Sequence, residues 1–168
     1  MGIRPTYSKS GLEKALRQKM ERSRRAMIET LCYVGEQCVN RQRKQRSPDP
    51  TSFGKKIPPH QPNYIDWSSN LRSSIGYVVV ADGEVVKMSS FEPVNGGDEG
   101  ARKGRQFAQE IAARYPTGIV LILVAGMEYA AYVSSKSYDV LNTGVTEAEE
   151  MIPRMMRQLN DVIDESNT

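Results

Sequence analysis

Apolar and polar positions alternate along this chain with periods that mark out its elements. Leu12, Leu16, Met20, Met27, Leu31, Val34 and Cys38 recur in steps of three, four and seven. That spacing keeps them on one helical stripe. Ser10-Gly11-Leu12-Glu13 reads as a capping box that opens the helix. Its other faces carry Arg17, Lys19, Arg22, Arg24, Arg25, Arg41, Arg43 and Lys44. Continued to about Arg46, such a helix is roughly 50 Å long. It either crosses a whole sheet or projects to meet a neighbour. Ser47-Pro48-Asp49-Pro50 ends it, because proline cannot continue a helix and restricts the residue before it. Residues 47–64 hold five prolines and read as an extended loop, and residues 1–9 read as a flexible N-terminus.

Beyond the loop, residues 66–72 (DWSSNLR) predict a short helical turn capped by Asp66 or Ser68. Ile75–Ala81 is β-branched and apolar, and Glu84–Met88 returns after Asp82-Gly83, a strong hairpin signal. Ser89–Gly100 is polar and contains glycines, which predicts a loop. Residues 101–114 have helical period, with Phe107, Ile111 and Ala108 or Ala112 on one side. Ile119–Ala125 (IVLILVA) has no polar face at all, which predicts a strand in the centre of the sheet, covered on both faces. Tyr129–Ser134 predicts a helical turn and Tyr138–Leu141 a short extended piece. Thr146-Glu-Ala-Glu149 is a second capping box. The helix it predicts runs to about Asp164, with Met151, Ile152, Met155, Met156, Leu159 and Val162 inward and Pro153 in an early turn. These elements make one α+β domain spanning 1–168. Its small mixed or antiparallel sheet, of about three to five strands, packs against the long N-terminal helix and the C-terminal helix.

Composition changes this picture little. A chain of 168 residues can bury one core without staples. No apolar run reaches the length of a membrane span, and the N-terminus lacks the apolar stretch of a secretory signal. Cys32 and Cys38 are six residues apart, which turns them away from each other on a helix and predicts two separate thiols.

Charge adds more. Residues 1–56 carry 14 Lys/Arg against five Asp/Glu, and residues 57–168 carry nine against 15. A basic front and an acidic back suit head-to-tail contact between copies, or a front that faces DNA.

The search for chemistry returns few candidates. With His60 as the single histidine, no serine or cysteine nucleophile has an obvious base beyond it. No HExxH, CxxC, P-loop or GxGxxG occurs. Gly96-Gly97-Asp98-Glu99-Gly100 lacks the Lys-Ser/Thr that would cradle phosphates, so it reads as a connector. We expect no catalytic set, no metal site and no cofactor. Arg22-Ser23-Arg24-Arg25 and Arg41–Arg46 are suited to DNA phosphates or to an acidic protein surface.

Two segments carry a likeness. One is Trp67-Ser-Ser-Asn-Leu-Arg-Ser-Ser-Ile-Gly-Tyr77. The other is Val124-Ala-Gly-Met-Glu-Tyr-Ala-Ala-Tyr-Val133, followed by Tyr138-Asp-Val-Leu141. With the two long helices, they resemble the tail-completion, or head–tail-joining, neck proteins of long-tailed phages and prophages. The form with a helical insertion before the third strand is similar to those of phages infecting gut Bacteroidetes. The likeness covers roughly residues 10–160 in element order. Where the family commonly has Thr-Gly, this chain has Ser68-Ser69, and Ser134 and Ser137 replace an acidic residue and a glycine.

The resemblance implies a non-enzymatic virion protein, present in the host cytoplasm during assembly. It implies a homo-oligomeric ring between portal or adaptor and tail tube, with no membrane. Arg24, Arg25, Arg41, Arg43, Trp67, Tyr129, Tyr132 and Tyr138 are the expected interface residues. A DNA-binding protein using the basic helix is the alternative.

Overall fold

The computed structural model describes residues 9–44, 64 and 67–165. Its elements are α1 (Lys9–Lys44), α2 (Asn70–Ser73), β1 (Ile75–Ala81), β2 (Glu84–Met88), α3 (Asp98–Ala112), β3 (Ile119–Ala125), α4 (Ala130–Ser135) and α5 (Asn142–Glu165). The fold is α+β. The sheet has three strands in the order β2-β1-β3, and both pairings are antiparallel.

β1 is the central strand and is buried along its whole length. Alternate residues serve opposite faces. Ile75, Tyr77 and Val79 pack under Leu31 and Val39 of α1, with Ile152 and Met156 of α5 against the same cluster. Val78 and Val80 point the other way, to Phe91 and to Ala101, Ala108 and Ala112 of α3. Helices therefore cover both faces. α1 lies over β1. α5 lies beside it, and its Met151 and Ile152 join Val34 and Cys38 of α1 over Leu121 and Leu123 of β3.

The hairpin turns where the sequence places it. Asp82 (φ 50°) and Gly83 (φ 86°) both take left-handed backbone, as a two-residue hairpin loop requires. Asp82 Oδ1 accepts the Gly118 N–H at 2.9 Å, which ties the hairpin to the start of β3. That bond, followed by Arg24, holds the Asp82 carboxyl below the usual carboxylate range.

Several expectations are corrected. β3 is at an edge of the sheet, not its centre. Its apolar character comes from the helices that cover both of its faces. Ser10 lies within α1 as described, not before it. α2 is directly preceded by Ser69 in left-handed backbone with no side-chain cap bond of its own, and the expected cap Ser68, one residue earlier, accepts the Asn70 N–H on its hydroxyl at 3.4 Å. The proposed cap Asp66, the Pro-rich loop up to 63, His60 and residues 1–8 lie outside the described residues. Tyr138–Leu141 is irregular and forms no strand. α5 begins a turn before the predicted capping box, because Asp139 Oδ1 accepts the Thr143 N–H at 3.1 Å and starts the helix there. Pro153 thus falls in mid-helix, where it removes one backbone bond.

The glycine-rich segment is not a slack connector. Gly97 and Gly100 are buried and α3 begins at Asp98, three residues earlier than its periodicity indicates. Small residues let this helix lie close on α2 and β1. Gly100 touches the Asn70 carbonyl, and Gly104 touches Ser74 and Phe91. The predicted apolar side splits accordingly. Ala108 and Ala112 face the sheet, whereas Phe107 remains exposed.

Candidate functional site

The feature that stands apart from the domain is the first part of α1. Its buried residues begin only at Leu31, and every residue from Lys9 to Arg22 is exposed. Those 14 residues form an arm of about 21 Å. At 100° per residue, Leu12, Leu16 and Met20 fall within about 40° of Val34. They continue the face that α5 covers farther along. Here nothing described covers it: Leu12 is 55%, Leu16 53% and Met20 70% exposed. From Lys9 to Arg25 the arm carries seven Lys/Arg and two Glu. The arm is therefore an amphipathic helix with a bare apolar stripe and strongly basic flanks.

The expected interface residues do not gather on one surface. Arg24 Nη2 lies 2.7 Å from Asp82 Oδ2 at the hairpin tip. Arg41 Nη1 lies 3.0 Å from Glu147 Oε1 at the start of α5. Arg43 donates to the Glu92 carbonyl, and burial pulls its guanidinium below the usual arginine range while the Glu92 carboxylate opposes this. These three arginines are each engaged with another segment of the same chain, and Arg25 stands exposed on α1. Trp67, Tyr129 and Tyr132 are exposed, and Tyr138 is half-buried. Lys136 Nζ sits 5.3 Å from the centre of the Tyr132 ring, a cation–π contact. Tyr129 and Tyr132 share the α4 side of the molecule, far in sequence from the basic arm.

Sequence reasoning missed an apolar groove of about 550 Å³ at the C-terminal end of β3. Phe107, Leu123, Ala125, Met127, Ala131 and Leu141 are among its walls. Among its described lining residues Glu128 is the one titratable group, and it pairs with Lys103 at 3.3 Å. The exposed Phe107 is the one local sign of the groove, since its other walls come from two further stretches, 123–134 and 140–142. A second hollow beside Arg41, Glu147 and Glu150 is more polar. Among the described residues no group of three His, Cys, Asp or Glu is placed to hold a metal ion. Nor is any described helix long and apolar enough to cross a membrane.

The thiols and one phenol are tuned by burial. Cys32 and Cys38 are free. Burial pushes both thiols above their ordinary range, with Glu147 adding to the effect at Cys38. Tyr77 is 1% exposed, and burial, followed by the Glu36 carboxylate, raises its phenol far above the ordinary tyrosine value. The folded state thus prefers the neutral phenol. Its contribution to stability is complete below about pH 10 and is lost as pH rises through the higher folded value. The two thiols act in the same direction from about pH 9. Urea denaturation at stepped pH is expected to show falling stability above that point. Tyr77→Phe should flatten the steepest part, which approaches about 1.4 kcal/mol per pH unit for one group. An unchanged alkaline slope in the variant would refute the assignment to Tyr77.

No protein-family model, curated protein or solved structure matches the chain.

Proposed function

We propose that this chain is a structural assembly protein of a tailed phage or prophage, joining head and tail as part of a ring of copies. Its neighbours are portal or adaptor and tail-tube proteins, and it resides in the virion after assembly in the host cytoplasm. One observation carries the proposal: an exposed helical arm with a bare apolar stripe. The arm continues the packed half of α1, which nucleates it, and a partner packed on it would bury the stripe that solvent now meets. An apolar stripe calls for a protein surface, and its basic flanks call for an acidic one. The resemblance of Trp67–Tyr77 and Val124–Leu141 to head–tail-joining proteins supplies the biological setting. In this fold those segments are α2 leading into β1, and β3 leading into α4.

The test is association. Co-purification and sedimentation with portal and tail-tube proteins are expected to show complexes. Leu12→Glu with Leu16→Glu should weaken them at least tenfold while leaving thermal stability within about 0.5 kcal/mol, since both residues are exposed. A wild-type protein that binds no virion component and never self-associates would sink the proposal.

The basic arm also favours a second reading, DNA binding. It predicts salt-steep affinity for duplex DNA, lost on charge reversal at Arg22 and Arg25. Absence of binding at low salt removes it.

A further inference from the structure

β3 has the sequence of an interior strand and the position of an edge strand. Ile119–Ala125 contains no charge, no polar side chain and no proline. α1 and α5 cover one face and α3 the other. Yet Ile119 to Leu123 are all partly accessible, on both alternations of the strand. The faces are covered, and the strand's outer hydrogen-bonding edge points away from β1. Among the described residues that outer edge has no strand partner, since β3 pairs with β1 alone. Soluble proteins guard such edges with lysine, proline or bulges, and β3 has none of these. At the opposite edge, Glu84 and Lys87 bracket Val85 and Val86, which are 46% and 47% exposed.

We propose that β3 becomes an interior strand on assembly, its open edge pairing with the β2 edge of a second copy arranged head to tail. The inference rests on the assembly reading above and names the contact between copies. β2 and β3 both run antiparallel to β1, so they are parallel to each other. A neighbour in the same orientation therefore presents β2 to β3 as a parallel pair, and the sheet continues from copy to copy. The exposed valines of β2 are buried by this contact, and the groove at the end of β3 gives the same edge an apolar floor.

Charge selects this arrangement over a two-fold one. α5 carries six Asp/Glu and two Lys/Arg, and it lies on the β3 side of α1. α1 carries ten Lys/Arg and four Glu. Continuing the sheet past β3 brings the neighbour's basic α1 beside the acidic α5. Pairing β3 with β3 across a two-fold axis would set acidic α5 against acidic α5. Each copy uses two different edges, so the contact is heterologous and propagates until it closes.

The experiment combines sedimentation of the full chain over a wide concentration range with hydrogen exchange of β3 amides. The wild type is expected to form oligomers, and β3 amides should exchange at least tenfold more slowly in them than at high dilution. Val86→Glu on β2 should weaken self-association at least tenfold. Its melting temperature should barely change, because Val86 is exposed and is skipped by the β1–β2 pairing register. Oligomers in which β3 exchange is concentration-independent overturn the proposal, as does Val86→Glu assembling normally or a chain that stays monomeric throughout. Any of these leaves the assembly reading standing if the arm still binds virion components, so the two failures are told apart.

Discussion

Gly100→Ala is expected to destabilise the protein by about 1–2 kcal/mol net, although alanine is the better helix former. Two effects compete at this position. Replacing glycine inside a helix gains about 1 kcal/mol from propensity. Against it stands a steric collision: a Cβ on Gly100 would lie 1.9 Å from the Asn70 carbonyl oxygen and 2.6 Å from its carbon. Both atoms belong to backbone, so no side chain can rotate aside. α3 must back away from α2, which breaks the 3.1 Å bond from the Gly100 N–H to Asn70 Oδ1 and loosens the Phe91 cluster. Overpacking of this kind costs about 1–3 kcal/mol, occasionally more. The collision therefore wins. Urea denaturation measures the net effect, and a variant as stable as the wild type would mean that the two helices are not in contact at Gly100. Gly104→Ala tests the same interface one turn on, where a Cβ would lie 2.6 Å from the Ser74 carbonyl.

Asp139→Ala is expected to cost about 2–3 kcal/mol and to fray the start of α5. Asp139 is buried and links two elements. Its Oδ1 accepts the Thr143 N–H at 3.1 Å and the Gln42 side-chain amide of α1 at 3.2 Å. Losing a helix-entry acceptor costs about 1 kcal/mol. Stranding a buried donor costs about 1–3 kcal/mol more. Gln42 makes the second effect severe, because its Oε1 is already buried without a protein partner among the described residues. The substitution would leave both ends of that amide unpaired. Thermal unfolding gives the magnitude, and amide exchange in residues 143–147 should quicken. Asp139→Asn keeps an acceptor and should cost less. Equal losses for Ala and Asn would point to the carboxylate charge as the source instead.

Much of the fold is legible because its signals are local. The spans of β1, β2 and β3 follow from runs of β-branched residues bounded by Asp82-Gly83, Gly118 and Gly126. The period of three and four shows α1 to within two residues of its last described turn. Helix starts are harder to read. α5 is opened by Asp139, an acceptor in an irregular segment, and a Thr-x-x-Glu box lying inside the helix looks the same in sequence as one that caps it. The glycines before α3 mislead for a related reason. Composition treats glycine as slack, but at Gly97 and Gly100 it marks where two backbones touch. The basic residues show the limit for the site. Arg24, Arg41 and Arg43 look like free surface charge in the sequence, and each one meets a partner from a distant segment.

The sequence by itself determined which segments are helices and strands, which faces are apolar, and that charge divides between front and back. These are properties of neighbouring residues and their periods. Only the tertiary structure decided which part of each apolar face is covered. Leu12, Leu16 and Met20 lie on the same stripe as Val34 and Cys38, yet among the described residues α5 covers the second part and the first stays exposed. β3 reads as a central strand because helices on both faces impose the same side chains that inner strands carry. Whether its backbone edge has a partner depends on the order of strands in space, and β3 carries neither the lysine nor the proline that would mark an edge in its sequence. Among the described residues, the uncovered arm and the unpaired edge are therefore visible only in the folded chain.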